Sequence, residues 1–182
     1  AADGTDCAYL ADCTVRTGKV VEKAQALLEE LDAMLHLVRT GRIYETANFR
    51  DTPAELRRLC DIALSGDGEP TTFKNFDEIV AACAGVKRRR NLHDVKMVLI
   101  TNASMFHRPH VQQALETLDR NNGEIWAKLE AGTEAYFKRV EQTKIPFQRI
   151  LDNIAAAARQ RPLVIQSLFM RIHGQPPPPE EL

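Results

Sequence analysis

Two kinds of hydrophobic pattern alternate along the chain. In the first kind, apolar residues recur every third or fourth position, as on the buried face of a helix. The first such stretch runs from Val20 to Val38, and Gly41 follows where a left-handed residue commonly ends a helix. A capping pattern at Thr52-Pro53-Ala54-Glu55 predicts a short helix over 53–59. Further helices are predicted over 75–90, from Pro109, over 132–140 and after Pro146.

The second kind of pattern is a short apolar run bounded by glycine, proline or polar residues. Such runs predict four strands, over 60–64, 95–101, 124–130 and 163–170. Helices separate these runs, and strands that alternate with helices are typical of repeated βαβ units around a parallel sheet. The predicted fold class is therefore α/β, and the sequence leaves open whether the sheet is flat or part of a barrel.

Composition and charge exclude several classes of protein. The chain has 182 residues, is 44% hydrophobic, and carries 24 basic and 25 acidic side chains. That apolar fraction is typical of a folded domain, and no run approaches the roughly 20 apolar residues that cross a bilayer. The near-zero net charge argues against a dedicated nucleic-acid-binding protein. With no export signal, we expect a fragment of a longer cytoplasmic protein.

The candidate functional residues follow the predicted strands. In parallel α/β folds, such residues gather at the carboxyl ends of the strands. The loop after the first strand combines two glycines with a carboxylate, Glu69, which can bind an amino group. The alternative is that this loop is only a tight connection. The candidates after the four strands are Ser65, Gly66, Asp67, Gly68, Glu69 and Pro70, then Thr101 and Asn102, then Lys128 and Glu130, and finally Gln166.

The third strand has one apolar and one charged face. Lys128 and Glu130 alternate with apolar neighbours, whereas a strand covered on both faces is usually apolar throughout. Buried charges are costly unless they are paired or used. Two interpretations remain open: the two side chains line a polar cavity, or they form an ion pair at the end of the strand.

Taken together, these segments resemble the radical S-adenosylmethionine enzymes. The stretch 65–71 is similar to the loop after the second strand of that family, whose Gly-Gly-Glu-like motif contacts the amino group of the methionine moiety. Thr101-Asn102, then 128–134, then 165–169 follow in the family's order. The resemblance covers about residues 60–170 and is nearest to the wyosine-synthesis-like branch. It implies a partial (βα)6 barrel over 1–172, followed by a proline-rich linker over 173–182 that leaves the domain.

The same resemblance implies two cofactors. One is S-adenosylmethionine, with Asn102, Lys128 and Glu130 around its carboxylate and ribose. The other is a 4Fe–4S cluster, held in that family by three cysteines spaced C-x3-C-x2-C. A reduced cluster would cleave the sulfonium to a 5′-deoxyadenosyl radical, with flavodoxin or ferredoxin as the electron donor. Candidate substrates are tRNA or a protein.

The cysteines depart from the family's pattern. The chain has four, Cys7, Cys13, Cys60 and Cys83, and the first two are six positions apart, a separation absent from C-x3-C-x2-C. With Tyr9 as the aromatic residue before the last ligand, Cys7 takes the middle position and is the candidate metal ligand. Either the cluster site is incomplete, or residues that carried a cysteine are missing from the sequence. We expect Cys60 and Cys83 to be buried packing residues.

Two other functions remain open from sequence. A degenerate barrel without a cluster would act as a small-molecule or partner-binding module, and the missing cysteines favour that interpretation. A contact with tRNA rests on the basic run 87–90, which equally suits the negative end of a helix dipole.

Overall fold

The chain folds around one parallel sheet. The computed structural model describes residues 20–65 and 68–181, with side chains from residue 25 onward. Every neighbouring pair of strands is parallel, and the strands lie in chain order across the sheet, as the sequence predicted. The strands are β1 (Asp61–Leu64), β2 (Lys96–Thr101), β3 (Gly123–Lys128) and β4 (Val164–Gln166).

Helices connect the strands, and local signals set where they begin. Pro109 opens the helix after β2, because its fixed φ suits the first helical position, where no amide hydrogen is needed. Thr133 caps the next helix, its hydroxyl accepting a hydrogen bond from the Tyr136 amide. Gly41 adopts a φ of 75° just after the first helix. The helices are α1 (Val20–Arg39), α2 (Phe76–Arg89), α3 (Pro109–Asp119), α4 (Glu134–Glu141) and α5 (Phe147–Ala158).

The hydrophobic core lies on one face of the sheet. Alternate strand residues contribute to it together with side chains from all five helices, so the helices and this face of the sheet share one core. Gly123, at the start of β3, is required by this packing, because a Cβ there would lie 2.5 Å from the backbone of Leu118 in α3. The core residues from the strands are Ile62, Met97, Leu99, Ile125 and Ala127.

The opposite face of the sheet is partly polar. At its amino end, Lys96 forms an ion pair with Glu124 on the neighbouring strand, and the Trp126 indole donates to the same carboxylate at 2.6 Å. Burial, and then the negative charge of Glu124, raises the pKa of Asp61 on β1, although Lys96 opposes the shift.

Two predicted elements were wrong in extent. The predicted helix 53–59 is a single 3-10 turn, Ala54–Leu56, because Glu55 and Arg57 are exposed and one turn without buried contacts gains too few hydrogen bonds to continue. The last strand was predicted over 163–170 but spans only Val164–Gln166. It pairs only with β3, and β3 ends at Lys128, which is the partner of Gln166.

No helix within residues 20–65 and 68–181 combines the length and apolar character that crossing a membrane requires.

Candidate functional site

Glu69 joins the carboxyl ends of β1 and β2. Its Oε1 accepts hydrogen bonds from the Thr71 amide at 3.1 Å and from the Thr101 hydroxyl at 2.6 Å. Its Oε2 accepts one from the Asn102 amide at 2.7 Å. The bond to Thr71 also caps the 3-10 turn Pro70–Thr72, so the sequence after β1 fixes the carboxylate locally before β2 adds its two donors. Glu69 is therefore a fixed, half-buried bridge between two loops.

This geometry bears on the prediction that Glu69 binds an amino group. The described donors to Oε1 come from Thr71 and Thr101, and the one to Oε2 comes from Asn102. Since a carboxylate oxygen can accept two hydrogen bonds, Oε2 can take a further donor, whereas Oε1 is fully engaged. Glu69 therefore has a structural role, and its Oε2 keeps an acceptor position for a further donor.

The loop after β2 is held in a strained conformation. Ala103 has a φ of 60°, in the left-handed region that costs a non-glycine residue about 1 kcal/mol or more. The side-chain amide of Asn153 on α5 donates to the carbonyls of Ala103 and Ser104 at 2.8 and 3.2 Å. The Asn102 side chain accepts from the Ser104 amide at 3.0 Å. These bonds fix the loop that holds the Asn102 amide beside the Glu69 carboxylate.

Asn153 was not among the residues predicted from sequence. It is buried, with 9% of its surface exposed, and lies between Ile150 and Ile154 on the apolar face of α5. A polar residue at a core position of an amphipathic helix was the signal that would have identified it.

The ends of β3 and β4 meet at Glu130. Its Oε1 lies 3.4 Å from the Lys128 Nζ, and its Oε2 accepts a hydrogen bond from the Leu168 amide at 2.7 Å. Glu130 is 8% exposed, while Lys128 and Gln166, neighbours in the β3–β4 register, are both exposed. Of the two sequence interpretations, the ion pair is present, and it leaves the Lys128 side chain accessible at the carboxyl end of the sheet.

A second acidic group, Glu141, lies near this pair. Burial, and then the negative charge of Glu130, raises the pKa of Glu141 at the end of α4, although Lys128 partly offsets the shift. Glu130 and Glu141 thus both lie near the positive charge of Lys128, and Glu130 forms the ion pair with it.

Glu181 reaches the same end of the sheet from the end of the chain. Its carboxylate accepts hydrogen bonds from the Gly132 amide at 2.6 Å and from the Thr133 hydroxyl, at the start of α4. Burial alone would raise the pKa of Glu181, but these bonds and one from the Thr133 amide hold it below its ordinary value. No local pattern in the sequence pointed to this contact.

The remaining predicted residues are placed as follows. Ser65 and Gly68 are exposed, Gly68 with a φ of 130°, and Pro70 is half-buried at the start of its 3-10 turn. Gly66, Asp67 and Cys7 lie outside the described residues.

The described residues do not fit an iron–sulfur cluster. Iron–sulfur clusters need several thiolates close together, and no group of three or more His, Cys, Asp or Glu residues in 20–65 and 68–181 could hold a metal ion. Cys83 is buried in the core, as expected, and Cys60 is half-buried next to β1, at the amino end of the sheet.

The basic run 87–90 is largely occupied by structural contacts. Lys87 is 3% exposed, and its Nζ donates to the Asn121 carbonyl at 2.6 Å. Arg90 donates to both carboxylate oxygens of Asp32 on α1, at 2.8 and 2.6 Å. Arg88 and Arg89 are the exposed members of the run.

The fold is similar to that of two solved structures. One is a structure of TYW1 with a lysine-pyruvate adduct bound, with 14% sequence identity and a TM-score of 0.51 over 82% of this chain and 45% of that one. The other is archaeal TYW1, with 13% identity and a TM-score of 0.51 over 87% of this chain and 50% of that one. This chain thus spans about half the length of the structures it matches. No protein-family model and no curated protein matches the sequence.

Proposed function

We propose that the chain is a segment of a radical S-adenosylmethionine-type barrel, and that it binds S-adenosylmethionine at the carboxyl end of its sheet. The observation that carries the proposal is the Glu69 bridge, which brings the loop after β1 and the loop after β2 into one polar site. Lys128 stands accessible at the end of β3, on the same edge of the sheet.

The architecture supports a barrel rather than a doubly wound sheet. A doubly wound sheet has helices on both faces, whereas the described helices share one core on one face. β4 is at the edge of the sheet, and Val164 and Ile165 are 43% and 45% exposed, as expected of a strand beside which a barrel would continue. The fold likeness to TYW1, a wyosine-synthesis radical S-adenosylmethionine enzyme, agrees with this proposal.

The site residues suit the methionine end of the ligand. Oε2 of Glu69 can accept a hydrogen bond from an ammonium group, and the Lys128 ammonium can donate to a carboxylate. The loop after β2 lies between Glu69 and Lys128 in the chain and supplies the side-chain amide of Asn102. Asn153 fixes this loop through its hydrogen bond to the Ala103 carbonyl. S-adenosylmethionine would supply the bond between sulfur and carbon that this family cleaves. The residues described here would bind and orient the ligand.

The cysteine spacing of this chain does not fit the cluster, so its residues support binding of S-adenosylmethionine without a radical step. Restoring thiolates tests whether the N-terminal segment carries the site. Asp3→Cys with Leu10→Cys is expected to raise bound iron toward about four atoms per chain after anaerobic reconstitution. If the unmodified chain already binds that much iron, the assignment of Cys7 as the middle ligand is wrong.

Binding of S-adenosylmethionine is tested by calorimetry on the purified chain. Lys128→Gln is expected to weaken binding about tenfold or more, since a charge-assisted hydrogen bond contributes about 1.5–3 kcal/mol. Lys144→Gln, at another exposed lysine, is the matched control and is expected to leave the affinity unchanged. Failure of the unmodified chain to bind, or equal affinities for the two variants, would contradict the proposal.

A second candidate function is a binding module without radical chemistry. The cysteine spacing favours it, because Cys7 and Cys13 are six positions apart, a separation that C-x3-C-x2-C does not contain. Protein that stays colourless near 400 nm after anaerobic reconstitution, yet binds S-adenosylmethionine, would support this module. A cytoplasmic location, a tRNA or protein substrate, and flavodoxin or ferredoxin as electron donor remain proposals.

A further inference from the structure

The chain's last described segment folds back onto the carboxyl end of the sheet. Ile172 and Gln175 exchange backbone hydrogen bonds at 2.9 and 3.0 Å, so the chain reverses direction there. His173 and Gly174 have φ values of 50° and 78°, which a tight reversal requires. We name residues 172–181 the strap.

Four consecutive prolines make the strap stiff. Residues 176–179 have φ fixed by their rings, and an extended proline run advances about 3.1 Å per residue. The chain then forms a 3-10 turn over Pro179–Glu181, in which the Glu181 amide donates a hydrogen bond to the Pro178 carbonyl at 2.9 Å. Because the run has little conformational freedom to lose, it holds Glu181 in place at low entropic cost.

The strap ends in a buried carboxylate bound to the start of α4. Glu181 is 8% exposed and accepts hydrogen bonds from the Gly132 amide and the Thr133 hydroxyl, which lie 49 and 48 positions away in the chain. The helix has its own cap in Thr133, so α4 does not need Glu181 to begin. Gly132 has no side chain, which leaves its amide open to an approaching carboxylate.

Glu181 supplies the side-chain hydrogen bonds between the strap and the start of α4. Residues 173–176 are exposed, Pro177 and Pro178 are half-buried, and Glu181 is buried. The residues that Glu181 contacts follow Glu130 by two and three positions, at the end of β3 where Lys128 is accessible. The strap is thus held by the Glu181 carboxylate at one end and by Ile172, which packs against the core, at the other.

We propose that the strap is a self-ligand: Glu181 occupies a carboxylate-binding site formed by Gly132 and Thr133, and it must leave before a carboxylate-bearing ligand can enter there. A tethered group acts at an effective concentration in about the millimolar range. A small free carboxylate therefore competes poorly, whereas a ligand with further contacts at the carboxyl end of the sheet can displace the strap.

The test uses acetate as the probe and amide NMR of the whole chain as the readout. In Glu181→Ala, the signals of Gly132 and Thr133 are expected to shift from their wild-type positions. Sodium acetate, titrated against sodium chloride at equal ionic strength, is then expected to move them saturably, with half-saturation about tenfold or more below that of the wild type. Glu180→Ala, at the exposed neighbouring residue, is the matched control and is expected to behave as the wild type.

Three results would overturn the proposal. They are unchanged Gly132 and Thr133 signals in Glu181→Ala, a lack of saturable acetate shifts in that variant, and equal acetate affinity in the variant and the wild type. Glu181→Gln, which keeps the shape and removes the charge, gives the same comparison if the alanine variant loses signal dispersion. Acetate binding without S-adenosylmethionine binding would support the strap while contradicting the proposed function.

Discussion

The Glu69 carboxylate and the Thr101 hydroxyl lie 2.6 Å apart and join two loops separated by 32 positions in the chain. Thr101 is 1% exposed and ends β2, so its hydroxyl is fixed by the sheet. The Asn102 amide beside it donates to the other oxygen of Glu69. This pair turns the ends of β1 and β2 into one rigid edge.

Replacing Glu69 is expected to destabilise the fold as well as weaken ligand binding. In the wild type, Thr71, Thr101 and Asn102 donate to the carboxylate oxygens of Glu69. Glu69→Gln replaces one of these oxygens with an NH2 group, which cannot accept, and a hydrogen bond lost in this way costs about 1–3 kcal/mol. Urea unfolding measures the loss, with Glu30→Gln, at an exposed residue of α1, as the control. Equal unfolding midpoints for Glu69→Gln and the wild type would mean that the bridge contributes nothing to stability.

The strained loop after β2 is expected to depend on Asn153. Asn153→Ala removes the donor to the Ala103 and Ser104 carbonyls and is expected to lower the free energy of unfolding by about 1–3 kcal/mol. Asp152→Ala changes the exposed neighbour on the same helix, and we expect an effect within about 0.5 kcal/mol. Similar losses for the two variants would show that Asn153 contributes only general helix packing.

The ion pair between α1 and α2 is expected to make stability depend on pH. Hydrogen bonds from Arg90 hold the pKa of Asp32 below its ordinary value of 3.8, so the folded state favours the charged carboxylate. The stabilisation is complete above the unfolded pKa and is lost as the pH falls through the lower folded value. The difference in unfolding free energy between wild type and Asp32→Asn should therefore be constant near neutral pH and shrink below pH 3.8.

The control for this pH series is Asp51→Asn, whose carboxylate is 92% exposed. The same pH series is run on this variant, and a change as large as that of Asp32→Asn would show that the effect does not come from the Arg90 contact. An Asp32→Asn difference that does not change between pH 6 and about pH 2 would show that the Arg90 contact is absent in solution.

The exposed edge strand is expected to promote self-association of the chain. Val164 and Ile165 on β4 are exposed together with Leu168 and Phe169, and an open apolar strand edge is a template for pairing with another chain. Ile165→Lys should lower the associated fraction seen in sedimentation velocity at a fixed concentration. Ala156→Lys adds the same charge on the exposed face of α5 and should not.

A wild-type chain that sediments as a monomer across the accessible concentrations would contradict the expectation for β4. So would equal effects of the two lysine substitutions, since net charge rather than the strand edge would then control association.

The sequence by itself determined the order and type of most elements. Three- and four-residue spacing predicted α1, α2 and α5, Pro109 marked the first residue of α3, and apolar runs predicted four strands in a parallel sheet. These features follow from neighbours along the chain, which the sequence contains directly. The helix predicted over 53–59 was wrong, because its capping pattern had no buried face to support it.

Only the tertiary structure decided what the polar side chains do. Glu69 could be recognised as a candidate, but its bonds to Thr101 and Asn102 exist because β1 and β2 are neighbours in the sheet. The sequence left two interpretations of Lys128 and Glu130, and the structure shows the ion pair. The Glu130 carboxylate also accepts a hydrogen bond from the Leu168 amide, because the chain after β4 lies beside the end of β3. Asn153 and Glu181 act 48 to 50 positions from their partners, and no local pattern encodes such a distance. Hydrogen bonds between distant segments depend on how the elements pack, which periodicity along the chain does not specify.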